Sequence, residues 1–160
     1  MIALKIKNVK QFMNLLFSTD TFDGFTLEEA VIKTFASYNI DGLYERGFFD
    51  GDDTAGKSGF DDPYTPWGLL RGSCRDLIKG KHTPVFMKFV FHGNTSPYGE
   101  LPAFPNIRAL LVMIRFDNTG LSVTTGTSMK EFIPDHDIDV LWDKNIKKLF
   151  TGCNIEYEEQ

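Results

Sequence analysis

The chain has 160 residues, 42% of them apolar and 15 of them Phe, which is enough to bury one core and too apolar for a disordered segment. Its formal charge of −5 at pH 7 argues against a nucleic-acid partner, because a phosphate backbone is bound by clustered Lys and Arg. The longest apolar run, residues 109–114, falls far short of the ~20 residues needed to span a bilayer, and residues 1–7 alternate rather than forming the apolar centre of a signal peptide. A cytoplasmic chain with no membrane partner is therefore expected.

Residues 1–7 alternate apolar and polar, as a short half-buried strand does. Asn8 then suits a helix N-cap, and Val9, Phe12, Met13, Leu16 and Phe17 recur on one helical face. Residues 26–42 carry two periods at once. Thr26 with Glu29 makes a capping box and Leu27, Ala30, Val31, Phe35 and Tyr38 fit a helical stripe, yet Ile32, Thr34, Ala36, Tyr38 and Ile40 alternate. The β-branched and aromatic content of the run decides for a strand.

Residues 44–65 hold Gly, Asp and Pro without a sustained period and read as a long loop. Thr65-Pro66 opens a second helix with Pro at the first helical position, and its stripe is Trp67, Leu70, Cys74, Leu77 and Ile78, with Gly80 ending it. Strands follow over 85–91, 107–116 and 121–133, the last two joined through Asp117-Asn118-Thr119-Gly120, so that they form an antiparallel meander. Residues 93–105, with three prolines, are a loop. A third helix begins around Pro134 and Asp137, buries Ile138, Leu141, Trp142 and Leu149, and stops at Gly152. It carries acids at its start and lysines toward its end, and an edge strand follows within 154–158. The fold class is α+β, one domain with an antiparallel sheet packed against about three amphipathic helices.

The sharpest motif is Gly51-Asp52-Asp53-Thr54-Ala55-Gly56-Lys57-Ser58, which satisfies the P-loop pattern. A working P-loop needs a buried strand before it and a helix after it, so that free N–H groups cradle the phosphates. Here residues 44–49 are no buried strand, Gly59 and Pro63 prevent a helix, and Asp52 and Asp53 place like charge inside the cradle. Nucleotide binding is a remote alternative on these grounds. Asp50, Asp52 and Asp61 also begin a calcium-loop pattern, which fails because Ala55 stands where the turn needs Gly and the closing Glu is missing. His82, His92 and His136 have no metal-ligand spacing, and Asp135-His136-Asp137 reads as a helix N-terminal cluster. Cys74 and Cys153 form no C-x-x-C pair and read as ordinary thiols of a reducing compartment. No cofactor, no metal and no catalytic residue is implied.

Candidate binding residues remain. Thr125 and Thr127 belong to a hydroxyl-rich strand in which Gly126 permits close approach, although alternating Thr also suits any pleated sheet. Arg71 and Arg75 share a helix face suited to a carboxylate or phosphate, or to pairing with acids such as Asp61, Asp62 or Asp76. Phe48, Phe49, Phe60, Tyr64 and Trp67 make the 48–67 region rich in aromatic rings.

Several phrases, MIALKIK at 1–7, IDG at 40–42, TPW at 65–67, LIKGKHTP at 77–84, TTGTS at 124–128 and WD at 142–143, taken in order, resemble a bacterial domain-of-unknown-function family of about this length. The resemblance covers nearly the whole chain. It implies a single domain with strand over 26–42, and it carries no catalytic residue across. The expected function is a non-enzymatic binding or protein-interaction module, its partner and oligomeric state unspecified. The alternative is a binder of small anions, or a small enzyme, with a pocket at the 65–79 helix.

Overall fold

The computed structural model describes residues 1–49, 63–93 and 106–160. In chain order the strands are β1 (Ala3–Ile6), β2 (Thr26–Lys33), β3 (Ser37–Asp41), β4 (Thr65–Pro66), β5 (Phe86–His92), β6 (Ile107–Asp117), β7 (Gly120–Met129) and β8 (Tyr157–Glu159). The helices are α1 (Val9–Ser18), α2 (Trp67–Ile78) and α3 (Asp137–Gly152), with a short 3-10 turn over Arg46–Phe49. The strands form one sheet in the order β3-β2-β5-β6-β7-β1-β8, with β4 added beside β2, and every described pairing is antiparallel. The α+β class and the β5-β6-β7 meander follow from the periodicities of the sequence. No described helix is long and apolar enough to cross a membrane.

Alternation along the strands sorts the two sheet faces. Leu27, Ala30, Ile32, Phe89, Phe91, Val112, Ile114 and Val123 point to the helices and are buried, whereas Lys5, Lys88, Met113 and Arg115 point the other way and are partly or fully exposed. On the helical side α1 contributes Phe12, Leu16 and Phe17, α2 Trp67 and Cys74, and α3 Ile138, Trp142, Ile146 and Phe150. Each fully buried large side chain supplies ~1.5–3 kcal/mol of burial free energy. Burial pushes the Cys74 thiol up to about 12, so it acts as a core residue rather than a nucleophile. Asn8 caps α1 as expected, its Oδ1 accepting from Gln11 N at 3.0 Å. The β6–β7 turn closes on Gly120, whose φ of +120° admits only glycine readily, and Asp117 Oδ1 accepts from Thr119 N at 2.8 Å.

Three expectations are corrected. Residues 26–42 are a hairpin of β2 and β3, not one strand, because the chain reverses at Thr34-Phe35-Ala36, where Thr34 N donates to Ala36 O at 2.9 Å. Both arms alternate, so periodicity alone shows strand without showing the turn. Pro66 is the N-cap of α2 and not its first helical residue. It lies extended in β4 opposite Thr26, and Trp67 N donates to Phe25 O at 2.9 Å, so the helix begins only after this pairing is made. The strand expected to reach residue 133 ends at Met129, beyond which Lys130 N donates to Asn106 O at 2.7 Å. The P-loop-like residues 51–58, the acidic positions Asp50, Asp52 and Asp61, Phe60 and most of the 93–105 loop lie outside the described residues.

Candidate functional site

The site begins with a β-bulge in β2. Leu27 pairs with Phe91 and Glu29 with Val90, so Glu28 has no partner on β5. The extra residue turns the Glu28 carboxylate toward His92, the last residue of β5, and its Oε2 accepts from His92 Nε2 at 2.5 Å. Tyr64 closes the other side, its ring centroid 4.7 Å from that of His92. A bridge between Leu43 and Tyr64 and a 2.9 Å hydrogen bond from Tyr44 N to Pro63 O hold Tyr64 in place.

Beside this cluster lies an open concavity of about 410 Å³ on β2 and β3, lined by Glu28, Glu29, Val31, Asn39, Asp41, Leu43 and Tyr64 among others. Glu29 and Asp41 sit directly opposite each other, a like-charge cross-strand pair. Lys88 Nζ offsets Glu29 at 2.6 Å, and Asp41 Oδ1 accepts from Leu43 N at 3.0 Å. The concavity thus brings an aromatic ring, carboxylates and apolar side chains together on one surface. Among the described residues no group of three or more His, Cys, Asp or Glu is placed to hold a metal ion. A second groove, of about 760 Å³, runs along α3 past Ile2, Val140, Lys144 and Lys148, and there Lys147 is already bound to Glu159 at 2.7 Å.

The residues singled out in the sequence fall in four places. Tyr64 belongs to the site just described. Trp67 is fully buried and donates its indole N–H to Leu16 O at 2.9 Å. Arg71 is engaged by Asp23 at 3.0 Å, an acid from the turn after α1, while Arg75 is exposed one turn further along α2. Thr125 and Thr127 face α3: Thr125 accepts from Ile2 N at 3.0 Å and donates to Asp143, and Thr127 donates to Asp139. Gly126 makes no close approach, since a Cβ there would meet nothing nearer than Leu111 Cβ at 3.7 Å. His136 caps α3 and lies 3.2 Å from Asp139.

The Thr127–Asp139 contact has a pH signature. Burial pushes the Asp139 carboxyl up, but hydrogen bonds from Thr127 and His136, with the nearby amino terminus and imidazole, together hold it below the usual carboxylate range. A depressed folded value stabilises the protein above the unfolded pKa of about 3.9, and that stability is lost as pH falls through the folded value. Thr127→Val is accordingly expected to lower stability most above about pH 4 and progressively less in more acidic buffer. Urea denaturation at a series of pH values reads this; a loss independent of pH would show that the hydroxyl acts on packing alone.

Glu28, His92 and Asp41 had no motif to announce them. One signal was present: Leu27 and Ala30 are three residues apart, and in a strand both face one side only if a bulge absorbs a residue between them. Comparison with known proteins adds one finding. No curated protein matches the chain, and no solved structure does. The profile of a family of unknown function, DUF5721, matches residues 15–158, a span that contains the bulge, Tyr64 and His92. The chain therefore belongs to the DUF5721 family.

Proposed function

We propose that this protein is a non-enzymatic binding module that meets a protein partner with the β3 end of its sheet. The observation that supports the reading is where apolar side chains are left in solvent. Phe35, at the tip of the β2–β3 hairpin, is 94% exposed, and Leu43, on the rim of the concavity, is 50% exposed. Val85, whose N–H bonds Lys33 O beside the same tip, is 67% exposed. Single exposed apolar residues are ordinary, but several around one strand end and one concavity mark an interaction surface. Phe132 and Val140 are also exposed, just before and within the first turns of α3. A cytoplasmic, bacterial setting is part of the same proposal. Both cysteines are free, as in a reducing compartment, and the resemblance noted in the sequence is to a bacterial family.

The test is affinity purification of the tagged chain from cells, beside the Phe35→Ser, Leu43→Ser double variant. Both positions are exposed, so the variant should fold with an unchanged melting temperature. Proteins enriched by the wild type, further copies of the chain included, are expected to fall about tenfold or more with the variant, the loss of ~1.4 kcal/mol. Equal recovery by both forms would move the binding surface elsewhere.

A further inference from the structure

The two edges of the sheet are built differently. The β8 edge is three residues long and charged, with Glu158 and Glu159 engaged by Lys7 and Lys147. That is how natural sheets guard an edge against pairing. The β3 edge has no such guard. Ser37-Tyr38-Asn39-Ile40-Asp41 contains no Lys and no Pro, and it pairs with β2 through five consecutive residue pairs without a register shift. Among the described residues no strand occupies its outer side.

We propose that β3 pairs with β3 of a second copy of this chain, antiparallel across a two-fold axis at Asn39, joining two sheets into one. This rests on the binding reading above and names the partner. Antiparallel neighbours must share a sheet face, and the register centred on Asn39 is the one that keeps all of β3 paired. It sets Tyr38 against Ile40 of the second copy, both on the core-facing side, and Ser37 against Asp41, with no like charges opposed. The edge is thus complementary to itself, its two apolar side chains Tyr38 and Ile40 meeting each other and its one charged residue, Asp41, meeting a serine, as a two-fold interface requires.

Sedimentation equilibrium of the full chain tests this. The wild type is expected to reach about twice its monomer mass of 18.2 kDa. Asn39→Lys puts two lysines face to face on the axis and is expected to be monomeric, with an unchanged melting temperature because Asn39 is exposed. Asn39→Glu is expected to be monomeric alone for the same reason. An equimolar mixture of the two should associate about tenfold or more tightly than either alone, since opposite charges then meet across the axis. A dimer that persists in Asn39→Lys alone, or a mixture that stays monomeric, overturns the proposal. A wild type that is monomeric at every concentration also overturns it, while the binding reading still stands or falls on the Phe35→Ser, Leu43→Ser comparison.

Discussion

Gly42→Ala is expected to cost about 3 kcal/mol or more, at the upper end of what overpacking costs, because nothing near the new methyl can move. A Cβ at Gly42 would lie 1.7 Å from Leu27 O, 2.6 Å from Leu27 C and 2.9 Å from Glu28 O, all backbone atoms of β2. That strand is held by β5 on one side and by β3 and β4 on the other. Gly42 cannot retreat either, since its N–H donates to Glu28 O at 2.8 Å and its carbonyl accepts from Thr65 N at 2.8 Å and Thr65 Oγ1 at 2.9 Å. For a chain of this size the loss corresponds to a melting temperature lower by roughly 6–12 °C. Gly24 is the control, because a Cβ there meets nothing within 4 Å and Gly24→Ala should be neutral or slightly stabilising. Equal losses at both positions in thermal unfolding would contradict the steric account.

The elements with one dominant period were legible from the sequence. The apolar stripe of α1, the acidic start of α3 and the Asp117–Gly120 turn each need only local information, and the structure places them within a residue or two of where the pattern does. The hairpin at β2–β3 was not legible, because the same alternation runs through both arms and the reversal at Phe35 carries neither Gly nor Pro. Pro66 misled for a related reason. Its fixed φ suits a first helical residue and an extended N-cap alike, and the pairing with Thr26 that chooses between them is a tertiary contact.

The site was less legible than the fold because its parts are far apart in sequence and lack a spacing rule. Glu28 and His92 meet only because β2 pairs with β5, and Glu29, which follows the bulged Glu28, looks in the sequence like half of a helical capping box with Thr26. Arg71 illustrates the converse. Its helical spacing from Arg75 suggested a shared anion site, but Asp23, 48 positions earlier in the chain, takes the guanidinium instead. Charged pairs of this kind follow from topology, which periodicity does not carry.

Trp67 decides between a binding role and a core role most directly. The ring is fully buried, with centroids 5.9 Å from Phe17, 5.6 Å from Phe89 and 5.1 Å from Phe91. Its N–H also completes the end of α1. The last carbonyls of a helix have no partner within it, and here Leu15 O accepts from Thr19 Oγ1 at 2.7 Å and Leu16 O from Trp67 Nε1 at 2.9 Å. Trp67→Ala is expected to cost ~3–5 kcal/mol, from lost burial and the cavity left among the phenylalanines. Trp67→Phe keeps most of the apolar contact but orphans the Leu16 carbonyl, so a smaller loss of ~1–3 kcal/mol is expected. Urea denaturation followed by circular dichroism, which does not depend on the indole as a probe, should give that order with an unchanged slope. If both variants unfolded at the wild-type midpoint, the ring would have to be serving a ligand rather than the core.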